Sequence, residues 1–412
     1  MVDIEKIIDK AIADQDIPGC VLTATNRDGS FTYSRAFGTR SLHPDHDQSP
    51  LKTNTVMWIA SCTKLMTAIC ALQLVEQGKL TLDDPIYNIV PELKDHPILE
   101  GFSKDGNPIL KPHKNPITLK LLLTHSSGLT YAAMHPLTIQ LLAYQGKEPP
   151  MDSKLLDRFS CPLVYEPGTQ WAYSSGIDYA GLMVERVSGL TLEEYMRKNL
   201  WEPLGIKDMT FFLSKRPDMQ ARLADMSKRD PETGKAVKTD GRQPYMTADR
   251  GEVEDCMGGQ GVFATPEEYM KILHGVLTTD ENEKILKKDS VEKLFSPYLG
   301  DQSTVLLNKY LEVKMINDAM GGTPTSVKKS YALGGLLVLG DVNGDKNFRG
   351  GSMFWGGLPN LSWFVDRKTG LCGLYAGQVI PPGDAKCSEL NSRFQEAMYE
   401  RYHKQRGVSP NL

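Results

Sequence analysis

The run Leu65-Met66-Thr67-Ala68-Ile69-Cys70-Ala71-Leu72-Gln73-Leu74-Val75-Glu76 is helix-like and apolar on nearly every face. A helix with no polar stripe belongs in an interior, so the rest of the fold has to be built around it. A strand-like Val56-Met57-Trp58-Ile59-Ala60 enters this helix through Ser61-Cys62-Thr63-Lys64, and Gly78 ends it. Residues three apart on a helix share a face, so the Ser61 hydroxyl and the Lys64 amine can meet across one turn. Serine is a poor nucleophile until a base takes its proton, a role open to a lysine whose charge is disfavoured by burial. The helix N-terminus also leaves backbone N–H groups free to face a developing oxyanion. The pattern points to acyl transfer through an acyl-serine, while the bare tetrapeptide also fits an ordinary serine helix start.

Ser-x-x-Lys recurs at Ser49–Lys52, Ser290–Lys293 and Ser326–Lys329. The first holds Pro50 in a polar loop and the other two lie in charged stretches. Only Ser61–Lys64 opens a helix of the buried kind.

At 412 residues the chain exceeds a typical domain, which predicts one large two-lobed unit or two domains. With 40% hydrophobic and 24% charged residues it is ordinarily globular, and a net charge of −4 argues against a nucleic-acid or membrane-surface binder. No stretch approaches a membrane span. The N-terminal ten residues are charged and amphipathic, without the apolar core of a secretion signal, which predicts a cytoplasmic protein. Seven dispersed cysteines read as buried free thiols of a reducing compartment, Cys62 included, because a helical neighbour one step from Ser61 points elsewhere.

The hydrophobic pattern predicts an amphipathic helix over about 2–14 and strands near 19–26 and 30–38 joined at Arg27-Asp28-Gly29. Residues 94–116 read as a surface excursion, and 136–300 as mostly helical with long polar connections. Thr265-Pro266-Glu267-Glu268 is a helix start. Strands follow over about 331–340, 350–356, 361–366 and 371–378, then a helix over about 384–404. Strands and a helix at both ends with helices between them imply a single antiparallel sheet built from both termini. The expected unit is an α/β (α+β) fold: a sheet lobe from about 1–60 and 325–412, flanked by terminal helices, and a mainly helical lobe from about 61–324.

Two further motifs carry chemistry. In Glu166-Pro167-Gly168-Thr169-Gln170-Trp171-Ala172-Tyr173-Ser174-Ser175 the Pro-Gly turn leaves Tyr173 in a loop ahead of a helix. Its phenol could relay protons near a serine and a lysine, or could simply pack its ring. Trp355-Gly356-Gly357-Leu358-Pro359-Asn360 puts two glycines at a strand end, where backbone can approach a ligand or make a tight turn. His125 reads as an anchor for the turn at Ser126–Gly128 rather than as a catalytic base, since no Gly-x-Ser-x-Gly elbow exists to partner it. The His43-Pro44-Asp45-His46-Asp47 cluster lacks helical metal-binding spacing and reads as a solvated loop.

Ser61-x-x-Lys64, Tyr173-Ser174-Ser175 and Trp355-Gly356-Gly357 occur in an order that resembles the superfamily of class C β-lactamases, penicillin-binding proteins and serine esterases. The runs Ile117–Leu129 and Gly258–Thr265 resemble signatures of the same superfamily. Within it the chain is similar to the fungal acyltransferases that place a methylbutyryl side chain on the lovastatin precursor, through Gln15–Gly19, Pro97–Phe102, Asp208–Phe211 and Arg216–Met219. The resemblance implies a β-lactamase/transpeptidase-like fold and a Ser61 nucleophile with Lys64 as its base. It also implies Tyr173 as proton relay to the acceptor alcohol, and an oxyanion hole from the backbone N–H groups of Ser61 and Leu358. Tyr131, Trp355, Gly356 and Gly357 would line the substrate site. It implies no metal or organic cofactor, a small-molecule acyl acceptor, and an acyl-carrier protein of a polyketide synthase as donor.

Tyr173-Ser174-Ser175 stands where β-lactamases usually carry Tyr-x-Asn, and Trp355-Gly356-Gly357 where they carry Lys-Thr-Gly. No strand lysine is left to meet a β-lactam carboxylate. The literal Lys368-Thr369-Gly370 reads as a hairpin turn. Leu358 stands where the similar acyltransferases are expected to have glycine; it keeps the N–H and adds a side chain to the pocket. Three readings follow: an acyltransferase, a serine esterase with the same Ser-Lys-Tyr site, and a non-catalytic binding protein, which would need a defect in that set.

Overall fold

Asp3 caps the first helix, α1 (Ile4–Ala13): its carboxylate accepts the Lys6 N–H, and Ile4, Ile8 and Ala11 fall on the buried side. The computed structural model describes residues 2–239, 245–249, 251–342 and 348–407. Strands β1 (Gly19–Asn26) and β2 (Thr32–Gly38) form a hairpin. Their sheet is completed from far down the chain by β3 (Lys329–Tyr331), β4 (Leu336–Val338), β5 (Met353–Gly357), β6 (Leu361–Asp366) and β7 (Leu371–Ala376). The order is β3-β4-β5-β6-β7-β1-β2, antiparallel throughout, with Val21 opposite Ala376 on one side and Ala36 on the other. The sheet is therefore built from both ends of the chain, as the sequence implies.

Side chains alternate across a strand, and here both faces are apolar. Val21, Met353, Trp363, Val365 and Leu374 enter the larger core with α2 (Thr63–Glu76). Cys20, Leu22, Phe354, Phe364 and Tyr375 enter a second core under α1 and the C-terminal helix. The apolar run that dominates the sequence is indeed interior: every residue of α2 from Thr63 to Leu74 is buried. Gln73 tolerates this because its amide donates to the carbonyls of Asn199 and Ile285. Two more helices frame the site, α3 (Gly176–Ser188) and α4 (Pro266–Asn282). Thr265 caps α4, which lies across β1 and β7, tied there by the Thr23 hydroxyl on Met270 Sδ and by the Arg27–Asp280 ion pair. The final helix, α5 (Ala385–Gln405), reaches back to α1 through Arg401 and Glu5.

The strand-like run ahead of Ser61 does pair, with short strands that the sequence pattern does not predict, and a second small sheet is made wholly of such strands. Met57–Trp58, Phe263–Ala264 and Met209–Thr210 form one small sheet, and Val379–Ile380, Ser227–Arg229 and Ala236–Lys238 another. The excursion over 94–116 folds as a hairpin of Ile98–Phe102 and Pro108–Lys111. Strands of two or three residues are too short for a period of two to show. The first of these sheets matters for function, because it fixes the backbone just ahead of Ser61. Among the described residues no helix is long and apolar enough to cross a membrane.

Candidate active site

Ser61 sits at the corner between the Met57–Trp58 strand and α2, inside a single 3₁₀ turn, Ala60–Cys62. Ala60 adopts φ +45°, a left-handed conformation that costs a non-glycine residue on the order of 1 kcal/mol and recurs at functional sites. The turn presents the Ser61 side chain to the loop preceding α3. There its Oγ shares a hydrogen bond of 2.6 Å with the Tyr173 hydroxyl and lies 3.3 Å from Lys64 Nζ. Lys64, on the first turn of α2, is fully buried, yet its amine has three oxygen neighbours. Besides Ser61 these are Gly259 O at 2.7 Å and the Tyr131 hydroxyl at 3.0 Å. The ammonium also lies 4.7 Å from the centre of the Tyr173 ring, within cation–π range.

His125 holds the Tyr173 loop. It is buried with φ +56°; its Nδ1 accepts the Ser174 N–H at 3.2 Å and sits 3.0 Å from Ser174 Oγ. Burial, followed by the nearby Lys64 charge, pushes its pKa well below the ordinary imidazole range, so the ring is neutral. Its bond goes to Ser174 rather than Ser61, so its role is structural as the sequence predicts, but what the ring holds is the Tyr173–Ser174 loop rather than the turn at Ser126–Gly128. Cys62 is buried and its thiol is pushed up by desolvation, which leaves it inert beside Ser61. Lys368-Thr369-Gly370 is the β6–β7 turn, with the Thr369 N–H on Asp366 Oδ1. His46 bonds Asp225 and stacks on His43, so that loop is tied down by hydrogen bonding.

Ser61 opens into a cavity of about 460 Å³, and Tyr131, Tyr173, Trp355, Gly356, Gly357 and Leu358 all line it. Its far wall is Tyr310, Met315, Ile316 and Met320, from the helices Asp301–Tyr310 and Lys314–Ala319 and the residue that follows. These are residues the sequence motifs do not single out. Among the described residues no lining side chain is charged, which leaves no cation in the wall to meet a carboxylate. Gly357 lets strand β5 touch the turn that carries Ser61, since a Cβ there would lie 2.4 Å from Ile59 O, while a Cβ on Gly356 would lie 2.3 Å from Leu361 O of the paired strand.

Two participants have no role assigned from the sequence, although Gly259 lies in the Gly258–Thr265 run. Asp178, on the first turn of α3, is fully buried; its Oδ2 accepts the Tyr131 hydroxyl at 3.0 Å and its Oδ1 accepts the Gly259 N–H at 2.8 Å. The one signal in the sequence was an acidic residue between Ile177 and Tyr179 in the first turn of a helix, a place where the helix dipole favours acids in any case. Gly259, whose carbonyl holds Lys64, leaves no room for a side chain, since a Cβ there would meet Asp178 Oδ2 at 2.3 Å. Tyr131 does more than border the cavity, because its hydroxyl turns inward between Lys64 and Asp178.

A Ser-Lys-Tyr constellation at the junction of an antiparallel sheet and a buried helix defines the class: this chain belongs to the Beta-lactamase family, whose model matches residues 4–386. It is a serine enzyme of the acyltransferase and esterase kind within that superfamily. It is 38% identical over 395 residues to the monacolin J acid methylbutanoyltransferase of Aspergillus terreus, covering 95% of this chain and 94% of the relative. It is also 38% identical over 400 residues to the lovastatin esterase of Penicillium rubens, covering 96% and 98%. Among solved structures, a mutant of simvastatin synthase from Aspergillus terreus superposes with a TM-score of 0.89 at 39% identity, covering 97% of this chain and 95% of that one.

Proposed function

We propose that this enzyme moves a short acyl group from a thioester, borne in the cell on an acyl-carrier protein, to a hydroxyl of a polyketide-type alcohol. The observation that carries the reading is Ser61 Oγ, within bonding distance of both Tyr173 and Lys64, at the edge of an uncharged cavity of about 460 Å³. A cavity of that size suits a drug-sized apolar molecule. In the acylation half, Ser61 Oγ attacks the thioester carbonyl and its proton passes to Lys64. The developing oxyanion is met by the backbone N–H groups of Ser61 and Leu358, the C–S bond breaks, and the departing sulfur takes the proton from Lys64 and leaves as the thiol. In the second half Tyr173 takes the acceptor hydroxyl's proton while handing its own to the departing Ser61 Oγ, as the alcohol oxygen attacks the acyl carbonyl and the Oγ–acyl bond breaks. Both halves need no group beyond these side chains and amides. Six buried free cysteines and one half-buried support a cytoplasmic setting.

Hydrolysis is the second reading, and the equal identity to a lovastatin esterase favours it. The two differ in whether water or alcohol resolves acyl-Ser61. Intact-protein mass after mixing with a short-chain acyl thioester separates them, with Ser61→Ala as the control. An adduct that persists in buffer and clears on adding a polyketide alcohol is the expected result. Equal clearance in buffer alone makes the enzyme an esterase, and no Ser61-dependent adduct refutes the acyl-serine mechanism.

A further inference from the structure

The polar groups behind Ser61 close into a ring. Asp178 bonds Tyr131 and the Gly259 N–H, and the Tyr131 oxygen and the Gly259 carbonyl both bond Lys64. We propose that Asp178 is a positioning residue, which through Tyr131 and Gly259 orients the Lys64 amine so that its remaining valence faces Ser61. The inference rests on the acyl-serine reading above and concerns what makes Lys64 a base.

The argument is a count of donors and acceptors. A phenol has one proton, and that of Tyr131 goes to Asp178 Oδ2. Its oxygen can then only accept from Lys64. The Gly259 carbonyl can likewise only accept, and the Gly259 N–H is already committed to Asp178 Oδ1. Two N–H bonds of Lys64 are thereby fixed in space. The position left over points at Ser61 Oγ, 3.3 Å away. In the neutral amine that position is the lone pair, which receives the serine proton; in the ammonium it is the N–H that returns it. The amine changes role without rotating.

Asp178 is needed because the Lys64 lone pair is itself a strong acceptor. Without an anionic oxygen on the far side, the Tyr131 proton would turn to the amine. Lys64 would then present an N–H to Ser61 and could not take its proton. Burial raises the Tyr131 pKa well above the ordinary phenol range, Asp178 adding to the effect, so Tyr131 holds its proton. Burial pushes the Asp178 carboxyl up, and Lys64, the Gly259 N–H, Tyr131 and Arg158 oppose it. Both carboxylate oxygens serve as acceptors, the arrangement that suits the ionised form. The charged and titratable groups around the ring are Lys64 from α2 with Cys62 just ahead of it, His125, Tyr131, Tyr173 and Tyr245 from the loops, Tyr179 on α3, Tyr331 on β3, and Arg158 from the short helix Leu155–Arg158.

Asp178→Asn tests this with almost no change of shape. The amide oxygen must face the Gly259 N–H, so the NH₂ faces Tyr131 and reverses its proton. Single-turnover acylation of Ser61 by a short-chain acyl thioester should slow by about 100-fold, the scale of a misdirected general base. Loss of the buried anion disfavours the ammonium, so the acid limb of the pH–rate profile should move to lower pH as the plateau falls. A purely structural role would lower the plateau and leave the limb in place. Tyr131→Phe, which keeps the ring, should slow acylation by at least about 10-fold, and the double variant should be no slower than the worse single one. Wild-type acylation by either folded variant, an unmoved acid limb in Asp178→Asn, or multiplicative losses would overturn the proposal. Should Asp178→Asn fail to fold, the rate of Tyr131→Phe decides alone. Absence of the adduct in the wild-type enzyme would instead overturn the acyl-serine reading.

Discussion

Gly357→Ala probes the seam between sheet and nucleophile. A Cβ at this position would stand 2.4 Å from Ile59 O and 3.2 Å from Ile59 C, where ordinary contact begins at 3.4 Å. Relief requires β5 and the turn to separate by about 1 Å. Neither side yields freely: Gly357 is paired with Leu361, and Ile59 O accepts the Cys62 N–H at 3.1 Å inside the turn that carries Ser61. The strain therefore acts on the distance between Ser61 and the Leu358 N–H. A misplacement of about 1 Å costs roughly 100-fold in rate, similar to removing one oxyanion donor, and overpacking should cost about 1–3 kcal/mol of stability. Single-turnover acylation followed by mass, with a thermal melt alongside, reads both effects. Gly340→Ala is the control, since among the described residues its Cβ would meet only Val327 Cγ1, at 3.7 Å. Acylation within about threefold of wild type by Gly357→Ala would refute the reasoning that β5 completes the oxyanion site.

Tyr173→Phe keeps the ring against Lys64 and Trp355 but loses the 2.6 Å bond to Ser61. Acyl transfer to an alcohol should fall by about 100- to 10,000-fold, while urea denaturation should show a change of only about 1 kcal/mol. Burial raises Glu185 from 4.5 to about 7, so the folded state binds more protons and stability should fall as pH rises between those values. Glu185→Gln keeps an acceptor for the Leu192 N–H and should flatten that slope in urea midpoints taken at acid and neutral pH. Glu5 behaves oppositely: Arg401 lowers it from 4.5 to about 2, giving stability that is present above pH 4.5 and lost as pH falls toward 2. Arg401→Met should remove this acid-side loss.

The legible parts of this chain were those with length or spacing. Ser61 and Lys64 stand out because they open a twelve-residue buried stretch, and the sheet because β5, β6 and β7 are apolar runs bounded by glycine turns. Met57–Trp58 was legible as part of an apolar, strand-like run, but its partners at 209–210 and 263–264 are too short to carry periodicity. Asp178 was hidden differently. An acidic residue in the first turn of a helix is what the helix dipole favours, so it looks ordinary until its neighbours Tyr131 and Gly259 arrive from other parts of the chain. The far wall of the cavity, at Tyr310–Met320, was likewise silent, since apolar residues on short helices mark a core as readily as a pocket.

The pairing of β1 with β7 joins residues roughly 350 positions apart. During synthesis, α2 emerges long before the sheet that will cover it can close, and β1 waits beside β2 with one edge unpaired. A ribosome carrying most of this chain thus displays a sticky helix and an open strand edge together. The demand falls on chaperones, and any truncation ahead of residue 371 should yield an aggregate rather than a smaller enzyme.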